Sequence, residues 1–226
     1  MKKKNLKTIF ALASGAVLLT ALSAFAEGYS DTENDNSLTV SVNALSRLGI
    51  INGYEDGSFR PQNQLTREEV CAMLSRMIPQ GQSSVITIDF GDVDKKSWSY
   101  GAITKAAALS IIDGYEDNTF KPYNNISYQE YIKMIMSMAG YRAYAEDNGG
   151  YPDGYIKAAA ENKVTDGIEF DFEDDITRRD AAVMLDRILD VPFLLVSTYN
   201  VQGISEFKVA DGLTYRRLLE SIRNLN

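Results

Sequence analysis

The 226-residue chain contains no histidine, one cysteine and one tryptophan, and each scarcity excludes a class of chemistry. Without histidine there is no imidazole to move protons near neutral pH or to ligate a metal. The lone Cys71 cannot close an internal disulfide, so stability must come from packing. It lies inside a helical pattern, where a thiol behaves as a small buried hydrophobe. No Gly-rich phosphate loop is present. Acidic residues are plentiful, but nothing in the pattern pairs two of them as general acid and base. The sequence therefore reads as non-enzymatic, with no catalytic residue, cofactor or metal ligand. A calcium loop is the tempting exception, because Asp56-Gly57 precedes a helix. Such a loop needs acids at alternate positions before its glycine, and Gly53-Tyr54-Glu55 does not provide them.

Beyond the first two dozen residues no run is long and apolar enough to span a bilayer. The first residues themselves have another reading. Lys2, Lys3, Lys4 and Lys7 form a basic region, Ile9 to Leu22 is apolar, and Ala24-Phe25-Ala26 supplies a small-residue cleavage pattern. Residues 1–26 are expected to be a secretory signal peptide cut after Ala26. Cleavage removes four lysines and no acids, leaving 19 basic against 31 acidic residues, a net charge of −12. So acidic a chain repels phosphate backbones, which makes nucleic acid a poor partner. The expected product is exported, with no membrane span after cleavage.

What the sequence does hold is a repeat. From Leu48 to Met77 it runs from the end of one helix through a turn-rich loop into a second helix. Thr66 and Glu69 fit a capping box, in which the threonine accepts from the third helical amide and the glutamate reaches back. Val70, Met73, Leu74 and Met77 then mark one apolar face. At an offset of 61, Gly53-Tyr54-Glu55-Asp56 becomes Gly114-Tyr115-Glu116-Asp117, Phe59-Arg60-Pro61 becomes Phe120-Lys121-Pro122, and Thr66 and Glu69 become Ser127 and Glu130. Tyr29 and Asp31 precede Phe90 and Asp92 by the same offset. A third, shorter copy carries Asp166-Gly167, 53 residues beyond Asp113-Gly114, and the cap Thr177-Arg178-Arg179-Asp180. No copy can bury its apolar face alone, so the three must pack together.

The expected fold is all-α: three helix–loop–helix repeats in a pseudo-three-fold bundle, at 38–80, 88–142 and 150–190. A flexible lead-in is expected at 27–37. Residues 191–226 form an irregular or β-prone tail, too short for its own core unless it docks on something.

These motifs resemble the S-layer homology family. The resemblance rests on Phe90-x-Asp92-Val93 with Trp98, on Gly-Tyr-x-Asp-x-x-Phe-x-Pro in the first two loops, and on Thr-Arg-x-Glu at the cap. The second copy departs at the cap, with Ser127-Tyr128-Gln129-Glu130, and the third has lost the loop. The resemblance implies a pseudo-trimer with grooves between repeats. It also implies non-covalent anchoring of an exported protein through a secondary cell-wall polysaccharide, in many members a pyruvylated one contacted by the Thr-Arg-x-Glu arginine.

Capping accounts for Thr66, Glu69, Ser127, Glu130, Thr177 and Asp180, since all three copies keep it. Arginine after the cap is different, because the helix dipole disfavours it there. A guanidinium beside free helix amides suits a carboxylate; its alternative is a surface pair with one of the many acids. Candidate glycan-binding residues are thus Arg67, as the main clamp, with Arg178, Arg179, Trp98, Tyr54 and Tyr115. Trp98 suits a sugar groove or a half-buried core site equally, and the two tyrosines either stack on sugars or close the loop. Gly53, Gly57 and Gly114 are read as positive-φ turn residues. Because Tyr128 replaces the arginine, at most two grooves are expected to be competent. The rival expectation is an adaptor whose tail, 191–226, binds a surface protein.

Overall fold

Each long helix of the chain begins where a short polar side chain can hold its first amides, and those starts set the architecture. In the computed structural model, residues 28–79, 88–199 and 205–224 are described; the expected signal peptide lies outside them. The helices are α1 (Asn36–Arg47), α2 (Arg67–Met77), α3 (Tyr100–Ala108), α4 (Tyr128–Met138), α5 (Arg142–Asp147), α6 (Asp153–Glu161) and α7 (Arg178–Ile188). After them come β1 (Pro192–Tyr199), β2 (Ser205–Thr214) and α8 (Tyr215–Arg223). Among the described residues no helix is long and apolar enough to cross a membrane.

The repeats interlock in a ring. The second helix of each copy packs on the first helix of the next: α2 on α3, α4 on α6, and α7 back on α1. On the pseudo-three-fold axis three backbone bonds close head to tail. The Leu65 amide donates to the Ile176 carbonyl, that of Ile176 to Ile126, and that of Ile126 to Leu65, at 3.3, 2.9 and 3.0 Å. The three side chains are buried. Asn125 Nδ2 caps the axis, donating to Gln64 Oε1 and Asp175 Oδ2. Cys71 lies in the core as expected, its thiol pushed up to about 12 by burial.

The lead-in is not flexible, which corrects the expectation for residues 27–37 over the described part. Both carboxylate oxygens of Asp31 accept from the Phe59 and Arg60 amides at 2.7 Å, as those of Asp92 do from Phe120 and Lys121. Tyr29 packs on Phe59 as Phe90 packs on Phe120, and Asp35 caps α1. The segment is polar because it clamps a loop, and it is ordered for the same reason.

The tail docks on the bundle. β1 and β2 form an antiparallel hairpin. The Leu194 amide donates to the Ala139 carbonyl, Tyr215 OH to that of Met138, and Arg216 binds both Asp186 and Asp190. Phe207 meets Tyr144 on α5, a helix that fills the interval between the expected second and third copies.

The glycine reading also needs correction. Gly57 has φ +79°, but Gly53 and Gly114 are required by close approach. A Cβ at Gly53 would stand 2.1 Å from Tyr29 Cε1 and 2.8 Å from the Ser58 carbonyl oxygen; at Gly114 it would stand 2.3 Å from Phe90 Cε1 and 2.9 Å from the Thr119 oxygen. Replacing either by alanine is expected to cost about 2–3 kcal/mol by overpacking. Gly101→Ala, on an open face of α3, is expected to be neutral or to stabilise by up to about 1 kcal/mol. Urea unfolding of the three variants checks the contrast, and equal midpoints would refute it.

Candidate functional site

The cap motif places three equivalent side chains at the three junctions between repeats. Thr66, Ser127 and Thr177 are the N-caps of α2, α4 and α7, each accepting from the amide three residues on. Glu69 and Glu130 return the bond to the cap amide. Asp180 does not complete the reciprocal box: its carboxylate, one methylene shorter, takes the Thr177, Tyr128 and Arg179 side chains instead.

The first-turn amides are not free, which corrects the premise of the arginine argument. Those of Arg67 and Glu68 donate to the Asn124 and Pro122 carbonyls, those of Tyr128 and Gln129 to Asp174 and Phe172, and those of Arg178 and Arg179 to Asn63 and Pro61. Each helix start is thus satisfied by the next repeat's loop, and the residue after the cap is aimed into that junction.

At the first junction Arg67 is only 4% exposed. Its Nε donates to the Phe120 carbonyl at 2.8 Å, Nη1 to Glu130 Oε1 at 2.9 Å and Nη2 to the Asp113 carbonyl at 3.5 Å. Tyr115 OH donates to the same Glu130 oxygen, and the ring has Lys121 Nζ at 3.9 Å and the Arg67 guanidinium at 4.9 Å from its centroid. Burial pushes the Tyr115 hydroxyl up to about 12; Arg67 opposes the rise and the bond to Glu130 adds to it.

At the second junction Tyr128 stacks on Phe170 with centroids 4.3 Å apart and rings 8° from parallel. Its hydroxyl donates to Asp180. An open cavity of about 640 Å³ beside it is lined by Phe172, Lys157 and the acids Asp153, Asp171, Glu173 and Asp174.

At the third junction Arg178 repeats the geometry of Arg67 against the first loop. Nε donates to the Phe59 carbonyl at 3.0 Å and Nη2 to that of Asn52 at 3.4 Å, the counterparts of Phe120 and Asp113. The guanidinium lies 4.6 Å from the Phe59 and 5.1 Å from the Tyr54 centroid. Here a cavity of about 200 Å³ opens, lined by Arg178, Arg76, Asn52, Glu69, Trp98 and an apolar wall that includes Met73. Trp98 is 64% exposed, so it is not a core residue.

Of the predicted site residues the structure thus gathers Arg178, Trp98 and Glu69 around one cavity, while Tyr54 packs against Arg178. Arg67 and Tyr115 are at another junction. Arg179 pairs with Asp35 and Asp180, tying α7 to the start of α1, and Tyr54 carries Arg60 3.8 Å from its centroid. Two residues escape a motif-based reading. Asn52 is one; it precedes the loop glycine as Asp113 does. Tyr151 is the other: 53 residues beyond Trp98, 44% exposed, with a hydroxyl raised by burial, then by Glu130, and lowered by Arg67.

The closed ring of three helical repeats thus sets an aromatic loop against a cationic or aromatic residue at every junction. The S-layer homology domain model matches residues 40–71 and 89–132, so these two segments carry the S-layer homology domain. The third copy resembles them in geometry. A surface layer protein of Brevibacillus choshinensis is 29% identical over 162 residues, 70% of this chain and 14% of that protein. A middle cell wall protein of Brevibacillus brevis is 29% identical over 190 residues, 81% of this chain and 18% of that protein. A cellulosome-anchoring protein of Acetivibrio thermocellus is 29% identical over 87 residues, 37% of this chain and 20% of the relative. The chain thus spans less than a fifth of the length of the two Brevibacillus proteins.

The two arginines differ in burial, and the difference is measurable. Arg67→Ala leaves Glu130 and the Phe120 carbonyl without their buried donor and is expected to cost about 3 kcal/mol. Arg178→Ala, with no ion pair to break among the described residues, is expected to cost about 1 kcal/mol. Equal shifts in urea midpoint would contradict this.

Proposed function

We propose that the protein is a non-catalytic anchor of the cell surface, holding to a secondary cell-wall polysaccharide in grooves between its repeats. The two matched S-layer homology segments and the surface-layer, wall and anchoring relatives support the surface role. The observation that carries glycan binding is the repeated junction: at two of three places a Thr-Arg-x-Glu or Thr-Arg-x-Asp arginine meets the aromatic loop of the neighbouring repeat. Guanidinium and aromatic faces together suit a sugar bearing a carboxylate, such as a pyruvate ketal. The protein acts outside the cell, on the wall. The acidic chain repels an anionic polymer at range, so binding rests on local geometry rather than on steering.

A second reading keeps one observation in its favour. Leu195, Val209 and Leu213 of the hairpin are 51%, 43% and 45% exposed, which gives residues 191–226 an apolar surface for a protein partner.

The deciding experiment is co-sedimentation of residues 27–226 with cell-wall sacculi before and after chemical removal of the secondary polysaccharide. Binding that disappears on stripping is the expected result. Folded protein that stays in the supernatant with intact sacculi refutes the glycan reading, and binding that survives stripping transfers the case to the hairpin.

A further inference from the structure

Two asparagines of the chain are followed by glycine, in Asn52-Gly53 and Asn148-Gly149. The pairing exposes a thermolabile side chain, because glycine has no Cβ to shield its amide nitrogen from the asparagine carboxamide. The fold treats the two unequally. Asn148 is held at both ends: its Nδ2 donates to the Tyr144 carbonyl at 2.8 Å, and its Oδ1 accepts from Lys157 Nζ at 2.7 Å. Asn52 is exposed, and among the described residues its side chain has no hydrogen-bond partner and the Gly53 amide donates to none. The Asn52 carbonyl shares its peptide group with the Gly53 N–H, and it accepts from Arg178 Nη2 at 3.4 Å. A cation on that oxygen stabilises the negative charge that the peptide group takes up when the N–H proton leaves.

We propose that Asn52 is a site of spontaneous deamidation, with Arg178 as the positioning residue that promotes it. The Gly53 nitrogen gives up its proton and bonds to the Asn52 side-chain carbonyl carbon. The bond from that carbon to the side-chain nitrogen breaks, and ammonia leaves with the proton. Water then opens the cyclic imide to aspartate or isoaspartate, so no oxidant or cofactor is needed. The aspartate product has a counterpart in the chain: Asp113 stands 61 residues on, before Gly114, and its carboxylate binds Lys133 and Arg142. Around position 52 the neighbours differ. Ala72 stands at the same offset from Lys133, and the charged side chains lining the cavity are Arg76, Arg178 and Glu69. Neither arginine has an ion pair among the described residues; Arg76 donates to the Ile50 carbonyl and Arg178 to those of Phe59 and Asn52. A carboxylate at 52 turns two cations against one anion into two against two. The third junction thus loses its net positive charge as the molecule ages, and with it attraction for an anionic ligand. That consequence rests on the glycan reading above, whereas the chemistry at Asn52 does not.

The test stores residues 27–226 in warm, mildly alkaline buffer, both folded and in urea, and follows the amide-to-acid mass change by peptide mass spectrometry. In the folded protein Asn52 is expected to convert about tenfold faster than Asn148, whose two hydrogen bonds must first break. In urea both are unrestrained Asn-Gly pairs, and their rates are expected to converge. Conversion of Asn148 as fast as Asn52 in the folded protein overturns the proposal. So does an Asn52 that stays intact when folded yet converts in urea. Arg178→Gln, which keeps a donor without the charge, is expected to slow conversion at Asn52 while leaving Asn148 unchanged. An undiminished rate at an unchanged urea midpoint refutes the part given to Arg178; the wild-type comparison decides the site even if this variant does not fold. Asn52→Asp reproduces the product and is expected to lose part of the wild-type sedimentation with intact sacculi. Equal sedimentation overturns the loss of attraction and leaves the modification standing. Wild-type protein that fails to sediment defeats the glycan reading and leaves the result at Asn52 untouched.

Discussion

Three backbone hydrogen bonds, closed head to tail among Leu65, Ile126 and Ile176, are the constraint on which the rest of the structure depends. Each joins the residue before one helix cap to its counterpart before another, so no two repeats can form the set without the third. The next two amides of every cap helix donate to the loop of the following repeat. A helix start leaves several amides without intrahelical partners, and burying them unsatisfied is costly. Here the neighbour supplies the acceptors. A single repeat therefore has neither a complete core nor satisfied helix ends, and cooperativity follows from backbone chemistry as much as from apolar burial. The loops in turn hold their shape because Asp31 and Asp92 each grip two consecutive amides from outside the loop.

A plan so symmetric still produces unequal junctions, because the residue after the cap is the one position the backbone does not fix. It is delivered to the same place three times, against the neighbour's aromatic loop, and its identity decides what the junction does. Arg67 meets a loop whose Tyr115 holds Glu130 ready, and the pair closes. Tyr128 meets Phe170, and two flat rings leave no room between them. Arg178 meets Phe59 and Tyr54 but forms no ion pair among the described residues, and the junction stays open. The first two solutions fasten repeats to each other, and the third leaves donors at a cavity.

Much of this was legible in the sequence. The repeat offsets, the caps and the apolar faces identified three helical copies, because period and capping are local properties of the chain. Which helix packs on which was not legible: α2 leans on α3 and α7 on α1, across repeat boundaries, and nothing local encodes that. The lead-in was misjudged for a related reason. Tyr29 and Asp31 are polar-segment residues whose value appears only when Phe59 and the loop amides reach them from thirty residues away. Gly53 and Gly114 were assigned to backbone conformation when the constraint is the ring packed on each of them. The site was partly legible. Arginine after the cap pointed to the junctions, but burial was not legible there: Arg67, in the best-matching repeat, is the one most completely enclosed.

That enclosure bears on how an arginine can be shared between folding and binding. A guanidinium has five N–H donors in a fixed plane, and Arg67 directs them to two loop carbonyls and a carboxylate of its own chain. A wall glycan seeking the same guanidinium must displace Glu130, which is tethered at an effective concentration of about millimolar or more and pre-oriented by Tyr115 and the Ser127 amide. It must also leave Glu130 partly buried without its partner, a penalty of the order that makes breaking buried pairs costly. The Arg178 junction carries neither burden, because its two protein bonds are to carbonyls that a ligand need not disturb. The same helix position is therefore enclosed and ion-paired in one copy and open to a cavity in another. What separates them is whether the neighbouring repeat's carboxylate, Glu130 or its counterpart Glu69, is paired with the arginine.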